Sequence, residues 1–420
     1  MPAEGLFVGL DLGTSGARAV VIDGDDRVRA TAKSAMADFG ANHRDPAIWW
    51  QAAEAALNCA LAGVARADVR AIAVDGTSGT MLPVDADGTP LAEGLMYNDA
   101  CEDAAILAAI AEHAPATSAA HGPTSGLARA LLFQRLKPAA ILHQADWIAF
   151  RLSGRFASDA NNALKSGYDP VRAEWPVWIG ATGLDMSLLP DVAEPGVPVG
   201  TLTPEAAALT RLPADTLVVA GTTDGCASFL ATGVAEAGDG VSALGTTLTI
   251  KILSDLPIFA PDYGIYSHRI LGKWLAGGAS NSGGAALLKH FTAEEMAALS
   301  PAIDPETDTG LDYYPLPKPG ERFPIADPLY APRTTPRPES RAEFLKALFE
   351  GVAGVEALAY ARLAELGAPP LRSVRSVGGG AGNPVWTRIR ARRLGVAMAV
   401  PRSTEAAFGA ALLAKAGADR

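Results

Sequence analysis

The stretch Asp11-Leu12-Gly13-Thr14-Ser15-Gly16-Ala17-Arg18 concentrates groups that could hold a phosphate chain. Gly13 and Gly16 let a backbone turn tightly and approach a ligand closely. Successive backbone N–H groups in such a turn make an anion-binding concavity, to which the Thr14 and Ser15 hydroxyls add donors. Arg18 offers a charge-assisted fork to the same anion. Asp11 is the odd member, because a carboxylate beside phosphates is repulsive unless a cation lies between. The combination points to a nucleotide carried with Mg²⁺, Asp11 meeting the metal through water, since Mg²⁺ gives up its hydration reluctantly. Taken alone, the octet also fits an ordinary hairpin with a capped acidic turn, the lesser of the two readings.

Further along the chain, other residues supply what phosphoryl transfer asks for: positioning, electrostatic stabilisation and a carboxylate to take the nucleophile's proton. Asp224, in Gly221-Thr222-Thr223-Asp224-Gly225, is the candidate base for a substrate hydroxyl. Gly245-Thr246-Thr247 repeats the glycine-threonine turn and is a second phosphate contact. Asp75-Gly76-Thr77-Ser78-Gly79-Thr80 is a polar loop at a strand's carboxyl end, where α/β sheets bind ligands. Asp75, Thr77 and Ser78 are its candidate substrate contacts. Asn98 and Asp99, in Leu95-Met96-Tyr97-Asn98-Asp99, suit a polyol or equally a helix cap, and Asn161, Asn162 and Lys165 are polar without a clear assignment. Gly378-Gly379-Gly380-Ala381-Gly382-Asn383 reads as a glycine turn lying flat against an adenine. The absence of a following acidic ribose partner disfavours a dinucleotide fold and a dehydrogenase.

The elements that must position these groups follow from periodicity and punctuation. Apolar runs at Leu6–Leu10 and Ala19–Ile22 predict paired strands around the first turn, and Arg27–Ala35 a third. Asp45-Pro46 opens a helix as N-cap and first-turn proline, and Val69–Val74 predicts a strand that runs into the polar loop. The stretch from Asp185 to Arg211, with its several prolines, is expected to be a surface connection. Strands at Leu217–Ala220, Val241–Leu244 and Leu248–Leu253 then resume. Ser340-Arg341-Ala342-Glu343 is a capping box opening a long helix that Gly367 closes. A strand at Leu371–Val377 and a final helix at Glu405–Ala416 complete the plan. The two halves share one scheme, a hairpin-borne phosphate turn and a strand ending in a ligand loop. Two similar α/β domains facing across a cleft, residues 1–216 and 217–420, are the expected architecture.

The whole chain bounds these readings. At 420 residues it is long enough for two cores. A hydrophobic content of 49% and a charged content of 19% describe a globular protein. The net charge of −11, with no basic cluster, speaks against nucleic acid as a partner. No apolar run reaches the ~18–20 residues of a membrane span, and no basic-then-apolar leader opens the chain. Cys59, Cys101 and Cys226 are odd in number and widely spaced, which supports neither a disulfide framework nor a zinc site and fits a reducing cytoplasm.

The ordered segments DLGTSGAR at 11–18, GTTDG at 221–225, GTT at 245–247, GGASNSGG at 277–284, GERFP at 320–324, FEGVAG at 349–354, GGGAGN at 378–383 and EAAFGAALLA at 405–414 resemble the FGGY family of carbohydrate kinases. That family lies within the sugar kinase, Hsp70 and actin superfamily, and the likeness spans nearly the whole chain. It implies two ribonuclease H-like domains, each a mixed sheet flanked by helices, and ATP with Mg²⁺ as cofactors. Asp11 would lie near the metal, and Gly13, Thr14, Ser15 and Arg18 near the phosphates. Asp224 would be the base at the sugar. Gly245, Thr246 and Thr247 would meet phosphate, and Gly379, Gly380 and Asn383 would line the adenosine pocket. Sugar contacts would come from the Thr77-Ser78 loop and the Asn98-Asp99 region.

Where many xylulose kinases of the family carry a methionine-histidine-glycine sugar loop, this chain has DGTSGT. With MYND and NNALKSGYDP, that loop resembles the cyanobacterial and plant xylulose kinase-like branch, for which D-ribulose is favoured. The implied reaction is phosphorylation of a ketopentose, D-ribulose to D-ribulose 5-phosphate first. D-xylulose or another polyol, or a catalytically silent sugar and ATP sensor, are the alternatives. The stretch from Ala285 to Ser340 is shorter than is common in the family, which leaves a homodimer open as the assembly.

Overall fold

The chain opens with three strands, β1 (Leu6–Leu12), β2 (Gly16–Ile22) and β3 (Val28–Ala35), in an antiparallel meander, seen here in a computed structural model that describes residues 5–420. Every residue of β1 is buried, as expected of an apolar strand covered on both faces. Helix α1 (Pro46–Leu61) starts where the sequence signals it, with the Asp45 carboxylate accepting from the Ala47 N–H at 2.8 Å and Pro46 in the first turn. Its Trp49, Ala53, Ala56 and Leu57 pack in one core with Val8, Leu10 and Leu12. The chain returns as β4 (Val69–Gly76), parallel to β1.

A peripheral layer follows. β5 (Met81–Val84) pairs with β6 (Ala140–His143), and α2 (Ala104–His113) and α3 (Gly126–Phe133) lie between them in sequence. Next come α4 (Gln144–Ser153), β7 (Ala157–Asp159), α5 (Ala160–Ala163), α6 (Trp178–Ala181) and β8 (Asp191–Ala193). Then β9 (Pro198–Thr201), α7 (Pro204–Thr210), β10 (Leu217–Thr223) and α8 (Asp224–Ala231) complete this part. The main sheet runs β3-β2-β1-β4-β10-β9.

The expected surface connection at 185–211 is thus corrected, because it contributes β8, β9 and α7. Its prolines misled for a physical reason. Pro198 opens an edge strand, a position at which the missing N–H costs no ladder hydrogen bond.

The second sheet is built from β11 (Asp239–Leu244), β12 (Leu248–Ser254), β14 (Lys273–Ser280), β15 (Ser373–Val377) and β16 (Ala397–Ala399) in the order β14-β12-β11-β15-β16. The short strand β13 (His268–Ile270) precedes β14 in the chain. As with β1, β2 and β4, β11 is antiparallel to β12 and parallel to β15, so the two sheets repeat one topology. The glycine-serine stretch at 277–280 is strand, with Gly277 and Gly278 opposite Lys251 and Ile250. Helices α9 (Gly284–Leu288), α10 (Ala293–Leu299), α11 (Arg341–Glu365) and α12 (Pro384–Leu394) belong to this unit. The Ser340 hydroxyl caps α11, whose Phe344, Leu348, Val352 and Val355 enter the core. In the GERFP segment, buried Glu321 accepts from the Ser280 and Tyr314 hydroxyls at 2.6 and 2.8 Å.

Contacts divide the chain into two compact units. One holds the residues up to Ala231 with His268–Gly272 and Ser403–Arg420, and the other holds Thr232–Ser267 with Lys273–Arg402. The sequence placed the division at 216/217 instead. Two features move it: β10 pairs in parallel with β4, and the last helix, α13 (Ala406–Ala418), packs on β1, β4 and β10. Gly9 makes that packing possible. A Cβ there would sit 1.9 Å from the Ala407 carbonyl oxygen and 2.3 Å from the Ala411 nitrogen.

Candidate functional site

In the first unit, three neighbouring strands bring three carboxylates to one end of the sheet. Asp11 near the end of β1 is in register with Asp75 near the end of β4, and Asp75 is in register with Thr222 of β10, two residues before Asp224. Asp75 is fully buried and Asp11 nearly so. Burial pushes the Asp75 carboxyl well above the usual range, and the charges of Asp11, Asp224 and Asp159 add to the effect. Asp11 is raised too, chiefly by burial, while the contact with Asp75 and the Arg18 charge pull it back. Two carboxyls in contact share a proton more readily than they both ionise.

The β1–β2 turn is closed by its own backbone. The Gly13 N–H donates to the Gly16 carbonyl at 3.0 Å, and Thr14 and Ser15 stand exposed at its tip. Arg18, the register partner of Asp11, donates to Asp11 Oδ2 at 3.2 Å and lies 3.7 Å from the Glu405 carboxylate. The expected phosphate cation is therefore already held at the acid cluster by charge. Asp224 begins α8 directly after β10, half-buried, with the Gly225 N–H donating to its carboxylate at 2.7 Å.

The loop after β4 is anchored by hydrogen bonds. The Thr77 N–H and hydroxyl both donate to the Leu12 carbonyl, at 3.2 and 3.3 Å, and the Thr80 hydroxyl accepts from the Tyr97 N–H at 3.2 Å. The Ser78 hydroxyl has no partner. Asn98 is exposed. Asp99 is not a free sugar carboxylate, because Arg44 forks onto both its oxygens and the Met96 N–H donates to one at 2.7 Å. The Arg44 hydrogen bonds hold Asp99 below the usual carboxylate range. Its role is to clasp the Tyr97-Asn98 segment. Asn161 is likewise a staple: its amide donates to Thr222 Oγ1 and the Arg269 carbonyl and accepts from the Arg269 N–H.

Sequence reading passed over Arg44 and Arg129. Buried Arg129 of α3 donates to the carbonyls of Thr124, Tyr97 and Asp99 at 2.7–2.9 Å, fixing the loop from behind. An arginine inside the otherwise apolar run Leu127–Phe133 was the available signal. Asp159, which caps α5 and is pushed by burial to about 6, was also missed.

In the second unit, Gly245, Thr246, Gly379, Gly380 and Asn383 line one cavity of about 730 Å³. That lies within the ~300–1,000 Å³ usual for ligand pockets. Leu287, Met296, Phe349 and Trp386 supply apolar wall, and the Phe349 and Trp386 rings stack at 4.9 Å. Gly378, at φ +84°, turns β15 into the glycine loop, where a Cβ would meet the Leu244 backbone at 2.9 Å. Asn383 is a cap as well as a wall. Its Oδ1 accepts from the Trp386 N–H at 3.0 Å and its Nδ2 donates to the Ser300 hydroxyl at 2.8 Å. Thr247 is not on that wall; its carbonyl accepts from the Gly245 N–H and closes the turn.

Comparisons with known proteins place the chain in a family. Residues 6–117 match the N-terminal domain, and residues 240–418 the C-terminal domain, of the FGGY family of carbohydrate kinases. A xylulose kinase of Escherichia coli (strain K12) is 26% identical over 414 residues, spanning 92% of this chain and 84% of that protein. One from Streptomyces rubiginosus is 27% identical over 444 residues, spanning 97% and 87%. The fold is similar to the crystal structure of xylulose kinase from Rhodospirillum rubrum, with a TM-score of 0.82, 24% identity, and 98% of this chain and 92% of that one covered. The crystal structure titled a xyloylose kinase from Brucella ovis gives 0.83 and 24%, with 99% and 90% covered.

Proposed function

We propose that this chain, which belongs to the FGGY family of carbohydrate kinases and so uses ATP to phosphorylate a sugar, acts on a ketopentose, D-ribulose before D-xylulose. The observation that carries the reading is one end of the first sheet, where the hydrogen-bonded Thr77–Thr80 loop follows Asp75, with Asp11 in register beside it and Asp224 two residues beyond Thr222. Its DGTSGT sequence resembles the D-ribulose-favouring branch. The relatives named xylulose kinase support D-xylulose as the second reading.

Asp224 takes the proton of the attacking sugar hydroxyl. Ser78 and the Asn98 segment hold the sugar so that this hydroxyl faces the phosphoryl group. In the first unit Thr14, Ser15 and Arg18 are the residues offered to phosphate oxygens; in the second, Gly245 and Thr246 are. The apolar cavity with Gly379, Gly380 and Asn383 takes the adenine and ribose. The oxygen-only donor set at Asp11 and Asp75 would fit a hard cation, whose charge would favour the ionised carboxylates over the proton the pair otherwise shares. Asp11 would hold Mg²⁺ through water, and the ion when bound neutralises phosphate charge.

ADP release with Mg-ATP across D-ribulose, D-xylulose, L-ribulose, L-xylulose, ribitol and glycerol, each against a sugar-free control, tests the reading. The highest kcat/KM is expected with D-ribulose. Sugar-independent hydrolysis, or no turnover with any member, would refute the ketopentose assignment. Asp224→Asn should keep ATP binding while lowering kcat by about 10²–10⁴-fold.

A further inference from the structure

Buried polar atoms are nearly always paired in folded proteins. Among the described residues, ten buried side-chain nitrogen or oxygen atoms have no hydrogen-bond partner, and seven of them belong to Asp75, Ser78, Arg129, His143 and Gln144. These five side chains lie in or directly against the segment Asp75–Thr80. The Gln144 N–H donates to the Thr80 carbonyl at 2.9 Å, and His143 pairs in register with Met81. A Cβ built on Gly79 would lie 3.3 Å from Arg129 Nη1, and one on Gly76 would lie 3.5 Å from Gln144 Oε1. The shortage of partners is therefore local to the sugar loop.

The five are not equivalent. Arg129 spends its Nη donors on three carbonyls and serves as scaffold. His143 Nε2 lies 3.4 Å from the Ser166 hydroxyl. Gln144 is different: it is fully buried, its backbone is fixed by Thr80, and both its amide atoms are unengaged. An apolar side chain of similar size would fill the same space without stranding a donor and an acceptor, each of which is costly when buried unpaired. The amide has three rotatable bonds and no hydrogen bond to break before it turns.

We infer that Gln144 is a specificity-determining residue of the acceptor site, its amide pairing with hydroxyl groups of a neutral, polyhydroxylated substrate alongside Ser78. A hydroxyl both donates and accepts, which matches an amide that offers one of each. The neighbouring carboxyls of Asp75, Asp11 and Asp159 disfavour an anionic acceptor at the same place. This inference rests on the sugar kinase reading and deepens it by naming the residue that tells related sugars apart.

The test uses the full chain with D-ribulose and D-xylulose, which differ only in the configuration of one hydroxyl. Binding of each sugar is measured by calorimetry, and kcat and KM with Mg-ATP by ADP release, for wild type, Gln144→Met and Gln144→Glu. Gln144→Met should raise KM or Kd for the preferred pentulose about tenfold or more, the equivalent of one or two lost hydrogen bonds. It should also bring the D-ribulose to D-xylulose ratio of kcat/KM toward one, with KM for ATP within twofold of wild type. Gln144→Glu keeps the shape, loses the donor and should move the same ratio. It stands in if the methionine variant does not fold. Either variant, folded and unchanged in sugar KM and in the ratio, would overturn the inference while leaving the kinase reading in place. A wild type that binds neither sugar would overturn both.

Discussion

Arg390 of α12 and Glu356 of α11 form an ion pair that is wholly buried. Arg390 Nε and Nη2 each donate to the carboxylate at 2.6 Å, Ser242 of β11 donates to it at 2.5 Å, and Arg390 Nη1 reaches Ser376 of β15 at 2.7 Å. The pair thus ties two helices to two adjacent strands of the second sheet, β11 and β15. The same α12 begins at Asn383 and carries Trp386, both on the cavity wall. Arg390→Met leaves the carboxylate buried with only the serine hydroxyl, and removal of one partner of such a pair costs about 3–5 kcal/mol. Glu356→Leu strands the guanidinium and should cost a similar amount. The double variant has no stranded charge, so its cost should fall well below the sum of the singles, with a coupling of roughly 3 kcal/mol. Urea unfolding followed by far-UV circular dichroism measures all four corners of the cycle. High salt should leave the coupling nearly unchanged, because buried pairs are screened little. A cost for Arg390→Met under about 1 kcal/mol, or singles that simply add, would refute the reasoning.

Other consequences are more local. Gly9→Ala forces a Cβ into the Ala407 carbonyl and should destabilise by about 1–3 kcal/mol or more; unfolding at wild-type denaturant concentration would show that α13 does not need that approach. Asn383→Ala removes a helix cap, costs about 0.5–2 kcal/mol, and should raise KM for ATP while leaving that for sugar alone. His143 is lowered to about 3, first by burial and then by the Arg129 charge. It is neutral in both states above pH 6.5, so it contributes nothing there. Between 6.5 and 3 the unfolded chain binds a proton that the folded one does not, and stability falls as pH drops through that window. Asp159, raised to about 6, has the opposite sign, so the comparison is with His143→Asn, whose stability should decline less steeply with acid. Parallel curves would remove His143 from the account.

Features that depend on neighbours in sequence were legible from the sequence alone. The glycine turn at 13–16, the Asp45-Pro46 and Ser340 helix starts and the alternation of strand with polar loop all follow from local backbone preference. With them came the repeated α/β plan, and the resemblance carried by ordered segments gave the kinase family. Tertiary structure decided what lies side by side. Asp11 and Asp75 are far apart in the chain and nothing near either one says that they touch; the parallel register of β1 and β4 does. The return of α13 to the first sheet depends on Gly9, which sequence shows only as one glycine in a strand. Asp99 looked like a sugar ligand because its free-carboxylate chemistry is visible in sequence, whereas Arg44, which occupies both its oxygens, is brought to it only by packing. Gln144 gave no signal at all, since a glutamine at a helix start is unremarked until burial strips its amide of water. Local propensity acts over a few residues, so it fixes turns and caps. Register, burial and pairing are set by the sum of contacts over the whole fold, and the chemistry of the acceptor end belongs to that sum.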